Sequence, residues 1–151
     1  MPNHYHFIFE EIINGGISKF MQRFGTGYTM YFNKKCDRVG SLFQGTFRSV
    51  FTETQEQLER LLLYVNVINP AQILEPDLKE YGLKNLEKIR DFVNEYPWST
   101  HHEYLKLRES VIIEKGILGE IFDDTKKYRE YFLSILKEKQ HETFRDKLFI
   151  G

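Results

Sequence analysis

The hydrophobic pattern of the first third of the chain predicts two strands and one helix. In residues 3–10 every second position from Tyr5 to Phe9 is aromatic, a spacing typical of a strand with one buried face. Residues 46–52 alternate in the same way and are rich in β-forming residues, so we expect them to pair with the first strand. Between these segments, apolar side chains recur every three or four residues over residues 18–35, which predicts an amphipathic helix.

The remainder of the chain has the helical period. Residues 55–69 carry a leucine-rich stripe, follow a capping sequence formed by Thr54 and Gln57, and end at Pro70. Further helices are expected at about 85–95, 100–107, 109–122 and 124–141, and residues 71–84 read as an irregular connection. The pattern as a whole predicts an α+β domain, in which helices pack on a small antiparallel sheet and a helical C-terminal extension follows.

Composition and charge describe an ordinary globular protein with an uneven charge distribution. The length of 151 residues suits about one domain, and the net charge of −1 is low for a nucleic-acid-binding protein. Residues 1–52, however, contain six basic and three acidic side chains, which leaves fifteen basic and nineteen acidic side chains in the rest. Any contacts with phosphate groups are therefore expected in the N-terminal third.

Cysteine content and hydropathy favour the cytoplasm. Cys36 is the single cysteine, so the chain forms no internal disulfide. No apolar run approaches the roughly 20 residues that a membrane-spanning helix needs, and the N-terminus has no secretory pattern. We expect a cytoplasmic protein without a membrane partner.

His4 and His6 are candidate metal ligands. Residues i and i+2 of a strand lie on one face, with Cα atoms about 6–7 Å apart, so the two imidazoles can converge on one ion. Imidazole is a frequent metal ligand in its neutral form. The alternative is that the histidines lie on a solvated face and bind nothing.

Six short blocks of sequence, in order, carry a resemblance to one family. They are Met-Pro-Asn-His-Tyr-His, Gly-Gly-Ile-Ser-Lys-Phe-Met-Gln-Arg, Tyr-Phe-Asn, Leu-Phe-Gln-Gly-Thr-Phe-Arg-Ser, Tyr64 with Asn69-Pro70, and Tyr-Pro-Trp-Ser-Thr. Together they resemble the REP-associated tyrosine transposases, single-strand transposase relatives within the HUH nucleases. The resemblance covers residues 1 to about 104 and continues more loosely through the C-terminal helices.

The resemblance implies a fold, an activity and partners. It implies a ferredoxin-like core in residues 1–105, lacking its first strand and helix, and a helical extension in residues 106–151. The implied activity is cleavage and rejoining of single-stranded DNA at hairpin-forming elements, through a covalent 5′-phosphotyrosine and with Mg²⁺ or Mn²⁺ as cofactor. Related enzymes with one catalytic tyrosine act as dimers, so a homodimer is expected.

The resemblance also assigns roles to residues. His4 and His6 match the metal-binding histidine pair, and Tyr64 matches the helix-borne nucleophile. The family places a third ligand, Asn or Gln, four residues after this tyrosine, where the chain has Ile68; Asn69 follows at five. Five residues of a regular α-helix turn Asn69 roughly 140° away from Tyr64, so only a one-residue bulge or a loosened helix end before Pro70 would align them.

Candidate DNA contacts lie in the basic N-terminal third. Lys19, Arg23 and Arg48 are expected to hold phosphates, and Phe43 and Gln44 to stack on or hydrogen-bond an unpaired base. Each of these residues also suits an ordinary structural role: a surface cation, or core packing for Phe43.

The sequence leaves three functions open, of which the DNA-cleaving enzyme implied by the resemblance is the first. Tyr64 could instead be a core residue with a hydrated hydroxyl, and Asn69 a simple helix-end residue. In that case the chain is either a truncated, inactive remnant that binds DNA hairpins, or an interaction protein that binds no nucleic acid.

Overall fold

The computed structural model describes residues 4–141, which form helices and loops with no strand among them. The predicted α+β class, with its ferredoxin-like antiparallel sheet, is therefore wrong. Residues 4–10 and 46–52 form no ladder of backbone hydrogen bonds. Residue 3 of the first predicted strand and residues 142–151 of the predicted extension lie outside the described residues.

The two strand predictions were wrong for the same physical reason. Alternating apolar residues favour an extended backbone, but a strand is stable only when its N–H and C=O groups pair with a neighbouring strand. In residues 46–51 the apolar side chains of Phe47, Val50 and Phe51 are exposed. No burial of apolar surface therefore stabilises the pairing of this segment with another strand. Alternation alone does not supply a partner.

The chain divides into two compact units, and Phe7–Phe51 is the smaller one. Its main element is helix α1, Gly16–Lys35, which confirms the helix predicted at 18–35. The helix follows Gly15, whose positive φ of 76° is a backbone conformation that glycine adopts without strain. One face of α1 is lined by aromatic rings that contact one another and the rings of Phe7, Phe9 and Phe43; these helical residues are Phe20, Phe24, Tyr28, Tyr31 and Phe32.

The larger unit comprises residues 1–6 and 52–151, of which 4–6 and 52–141 are described. It begins with α2, Gln55–Leu63, which continues through a π-helical turn, Tyr64–Ile68, into α3, Asn69–Ala71. The capping box predicted at Thr54 and Gln57 is confirmed, since each side chain bonds the backbone of the other. The remaining helices are α4 Leu78–Tyr81, α5 Leu86–Glu95, α6 His101–Tyr104, α7 Gly116–Ile121 and α8 Thr125–His141.

The core of the larger unit lies between α8 and the shorter helices. Tyr128 and Phe132 of α8 are buried, and the ring of Tyr128 stacks on that of Tyr104 at 5.0 Å. The backbone N–H of Leu83 donates to the carbonyl of Lys139 at 2.8 Å, which fastens the loop after α4 to α8. The boundary expected after residue 105 follows from the extent of the resemblance and stays a prediction.

A buried carboxylate organises the segment after α5. The guanidinium of Arg108 donates to both oxygens of Glu103, at 2.6 and 2.8 Å, and to the carbonyls of Pro97 and Ser99. Burial opposes the charge of Glu103, but the hydrogen bonds from Arg108 outweigh it and hold the pKa of this carboxyl below its usual value. The network closes the turn that leads into α6.

Within residues 4–141, no helix combines the length and the apolar character needed to cross a membrane.

Candidate active site

The two histidines of the N-terminal segment lie side by side. His4 and His6 are exposed in a segment without regular secondary structure, and their ring centroids are 5.0 Å apart with an edge-to-face angle of 81°. The i, i+2 spacing thus places the imidazoles together even without a sheet.

Tyr64 begins a widened helical turn. The backbone N–H of Asn69 donates to the carbonyl of Tyr64, five residues earlier, instead of to residue 65 as in an α-helix. Pro70 offers a physical reason, since its ring has no N–H and would clash with the carbonyl of Asn66 in a regular helix. Such π-turns are rare, occur mostly as single turns within α-helices, and are frequent at functional sites.

The widened turn changes the relation between Tyr64 and Asn69. A five-residue hydrogen-bonded turn places Asn69 one turn beyond Tyr64, as residue i+4 would be in an α-helix. The one-residue bulge that would align Asn69 with Tyr64 is therefore present. Asn69 is nevertheless buried, and its side-chain carbonyl oxygen accepts a hydrogen bond from Gln72 at 3.1 Å. The atom that would bind a metal is already engaged.

The phenol of Tyr64 lies next to the histidine pair. The ring centroids of His6 and Tyr64 are 6.2 Å apart, edge to face, and Tyr64 is half-buried. Lys79 of α4 donates a hydrogen bond to the Tyr64 hydroxyl oxygen, and its ammonium nitrogen is 4.8 Å from the centre of the ring. Four side chains from three separate segments of the larger unit thus meet in one place.

The electrostatics of this cluster disfavour the protonated form of His6. Partial burial, and then the charges of His4 and Lys79, lower the pKa of His6 below its ordinary value of 6.5. A neutral imidazole offers a nitrogen lone pair at neutral pH, as a metal ligand requires. The positive charge of Lys79 also makes the cluster attractive to an anion such as a phosphate.

The separation of the two imidazole rings is compatible with a shared divalent metal, but no third ligand is evident among residues 4–141. A metal about 2.1 Å from one nitrogen of each ring lies roughly 3 Å from each centroid, so a separation of 5.0 Å suits a ligand angle of about 100°. Among the described residues, no three His, Cys, Asp or Glu side chains form a group that could hold a metal. A third or fourth ligand would therefore come from Asn69 after release from Gln72, or from water and substrate.

The predicted DNA contacts lie in the smaller unit. Lys19 and Arg23 are exposed one turn apart on α1 and line a cavity of about 460 Å³, together with Gly16, Phe20 and Phe24. Gln44 and Arg48 are exposed in irregular backbone.

Phe43 packs on α1. Its ring lies 6.1 Å from that of Tyr28, centroid to centroid, and a Cβ added at Gly25 would meet it at 3.9 Å. Phe43 is half-buried, so packing already uses part of the ring that was expected to stack on a base.

Lys79 is the residue that sequence reasoning missed. It lies in residues 71–84, which read as an irregular connection, and no motif includes it. Its contact with Tyr64 joins positions fifteen residues apart, so neither helical nor strand periodicity could reveal it. A lysine between two chain breakers carries no signal of its own.

Comparison of this chain with protein-family models, with curated proteins and with solved structures finds no match in any of the three.

Proposed function

We propose that this chain cleaves and rejoins single-stranded DNA at hairpin-forming elements, with Tyr64 as the nucleophile. The observation that carries the proposal is the meeting of Tyr64 with the pair His4 and His6, all three singled out by the sequence, although Tyr64 lies far from the pair along the chain. Tyr64 is only half-buried, so part of its side chain is open to solvent. The resemblance to REP-associated tyrosine transposases supports the same chemistry.

The reaction is a phosphodiester exchange. The Tyr64 oxygen attacks phosphorus, a new bond forms between them, and the bond from phosphorus to the 3′-oxygen of the preceding nucleotide breaks. The phenol proton passes to water, and the departing 3′-oxygen takes a proton from water. The products are a 5′-phosphotyrosine and a free 3′-hydroxyl, and rejoining is the reverse reaction without an external energy source.

His4 and His6 would hold a divalent metal, Mg²⁺ or Mn²⁺. When bound, such an ion supplies Lewis-acid polarisation of the scissile phosphate. The lowered pKa of His6, which favours the neutral imidazole, and the 5.0 Å separation of the rings support this role. Asn69 is the proposed third ligand through its carbonyl oxygen, which requires that the hydrogen bond from Gln72 be released.

DNA binding is proposed for the basic N-terminal segment. Lys19, Arg23 and Arg48 would neutralise phosphates, while the exposed amide of Gln44 and the half-buried ring of Phe43 would contact an unpaired base. A homodimer, proposed on the resemblance alone, and a cytoplasmic location, proposed on the cysteine content and hydropathy, complete the proposal.

The test is the covalent intermediate itself. Wild type and Tyr64→Phe are incubated with a hairpin-bearing single strand and Mn²⁺, and the products are separated on a denaturing gel. We expect a slower-migrating protein–DNA species in wild type and none in Tyr64→Phe, because the variant lacks the attacking oxygen.

The matched control is Tyr81→Phe, which removes an exposed hydroxyl from α4 and should leave the adduct unchanged. An adduct that persists in Tyr64→Phe contradicts the assignment of the nucleophile. Mass spectrometry of the linked peptide then identifies the residue that did react.

One observation favours a second candidate function, a protein that binds DNA hairpins without cutting them. The carbonyl oxygen of Asn69 is engaged by Gln72, which leaves two imidazoles as the available protein ligands of the cluster. A remnant of this kind would bind the hairpin strand with salt-dependent affinity yet give no adduct with any divalent metal.

A further inference from the structure

Lys79 is held beside Tyr64 by a closed loop. The carboxylate of Glu75 accepts hydrogen bonds from the backbone N–H groups of Lys84 and Asn85, at 2.8 and 3.1 Å, and so ties the two ends of residues 75–85 together. Within this loop Leu78 is buried and anchors the short helix α4. The loop therefore presents Lys79 from a fixed base.

The contacts of Lys79 are directed at the atom that reacts in the proposed function. Its ammonium donates a hydrogen bond to the Tyr64 hydroxyl oxygen and lies 4.8 Å from the centre of the ring. Since the ammonium has three N–H groups and no lone pair, it cannot remove the phenol proton. It can orient the oxygen and stabilise negative charge on it.

We propose that Lys79 is a catalytic residue that holds the Tyr64 oxygen in position and stabilises the negative charge that develops on it during attack. This role rests on the proposed function. In the forward direction, Lys79 donates a hydrogen bond to the phenolic oxygen of Tyr64. Meanwhile the phenol proton passes to water and the bond between the Tyr64 oxygen and phosphorus forms. In the reverse direction, the 3′-hydroxyl loses its proton to water and attacks phosphorus, the Tyr64 oxygen leaves as a phenolate, and the ammonium stabilises that leaving group.

The ammonium contact has a consequence that needs no DNA. A hydrogen bond from a charged donor to a developing phenolate accelerates attack by that oxygen on any small electrophile of the right kind. An aryl sulfonyl fluoride forms a sulfonate ester with a tyrosine oxygen and releases fluoride, and the proton goes to buffer. The rate at which Tyr64 is labelled, followed by peptide mass spectrometry, therefore reports the contact directly.

The main experiment compares wild type with Lys79→Met. We expect Tyr64 labelling to slow by about tenfold in the variant, the scale of a lost hydrogen bond to a charged group. Lys84→Met removes the same charge from the same loop, and it should label Tyr64 at the wild-type rate because its exposed side chain lies outside the cluster. Tyr81, exposed on α4, is the internal reference.

Two further variants keep the test decisive if Lys79→Met disturbs α4. Lys79→Arg keeps a positive donor, and Lys79→Gln keeps a neutral one. We expect Tyr64 in Lys79→Arg to label faster than in Lys79→Gln, with Tyr81 equal in both. Equal Tyr64 rates in this pair, or an unchanged rate in Lys79→Met with Tyr81 unaffected, would overturn the role of Lys79.

The outcome separates this inference from the proposed function. If labelling depends on Lys79 but wild type forms no DNA adduct, the activation of Tyr64 stands and the DNA reaction fails. If the DNA adduct forms at the same rate in wild type and Lys79→Met, and labelling is also unchanged, the DNA reaction stands and the role of Lys79 fails.

Discussion

At the scale of single residues, His101 shows how the fold selects one protonation state. Its Nε2 lies 3.1 Å from the side-chain oxygen of Asn94, which can only accept, so Nε2 carries the proton. Nδ1 then accepts from the hydroxyl of Tyr128 at 2.9 Å. Both partners are satisfied by the neutral ring. Burial, followed by the charges of His102 and Arg129, lowers the pKa of His101 to about 4.

The lowered pKa of His101 predicts that the folded protein loses stability in mild acid. The unfolded chain binds the proton with a pKa near 6.5, while the folded chain resists it until about pH 4. Between these two pH values the unfolded chain binds more protons than the folded chain. The free energy of unfolding is therefore highest above pH 6.5 and falls by about 3 kcal/mol as the pH drops to 4. Urea unfolding at pH values between 4 and 7 measures it.

Two neighbouring variants separate the contribution of His101 from that of the carboxylates. His101→Gln should be less stable at pH 7 but lose less stability on acidification. His102→Gln, whose wild-type side chain contacts the carbonyl of Asn94, should retain most of the acid loss, because burial is the larger cause of the lowered pKa of His101. An equal acid loss in His101→Gln and wild type would contradict the assignment.

At the scale of elements, the widened turn at Tyr64–Ile68 is the feature that most affects the site. Its register change places Asn69 one turn beyond Tyr64, although five intervening steps would separate them on a regular helix. Pro70 is visible in the sequence as a helix breaker. In the structure the helix widens around it and continues through Ala71, because the surrounding residues Val67, Ile68 and Ala71 are all buried.

The smaller unit offers a test of backbone energetics that is free of packing effects. A Cβ added at Gly27 or at Gly40 meets no atom within 4 Å, but Gly27 is helical and Gly40 has a φ of +93°. We expect Gly27→Ala to stabilise the smaller unit by about 0.5–1 kcal/mol, because alanine loses less backbone freedom in a helix. Gly40→Ala should destabilise it, since alanine is strained at that φ.

Hydrogen exchange of the α1 amides measures both variants. Slower exchange in Gly27→Ala and faster exchange in Gly40→Ala are the expected results. A destabilised Gly27→Ala would show that the space beside this position is not open.

At the scale of the whole molecule, the unequal charge of the two units bears on DNA binding. The segment Phe7–Phe51 has six basic and three acidic side chains, although the net charge of the chain is −1. Binding to single strands should therefore depend on particular basic residues and not on total charge. The salt dependence of the affinity measures how many of them meet phosphates.

The pair Lys19 and Arg23 gives a quantitative prediction. For Lys19→Gln with Arg23→Gln, the slope of the logarithm of affinity against the logarithm of salt concentration should become shallower by about 1.4, or about 0.7 for each lost phosphate contact. The control, Lys127→Gln with Lys137→Gln, removes the same charge from exposed positions of α8. Equal slopes in the two double variants would contradict a phosphate contact at α1.

Much of the helical structure could be predicted from local sequence. The predicted helices at 18–35, 85–95 and 124–141 agree closely with α1, α5 and α8, because an apolar stripe and a terminal cap act within a few residues. The helix predicted at 109–122 is shorter, since α7 covers Gly116–Ile121 alone. The sheet failed as a prediction because strand pairing depends on a distant partner that alternation does not specify.

In the candidate site, too, contacts within one segment could be predicted from the sequence, whereas contacts between distant segments could not. The closeness of His4 and His6 was determined by the sequence itself, since residues two positions apart remain near each other whatever surrounds them. The approach of His6 to Tyr64, the widened turn and the hydrogen bond from Lys79 were decided by tertiary structure. Contacts of this kind join segments through buried packing and closed loops, and no repeating pattern within one segment encodes which distant side chain will arrive.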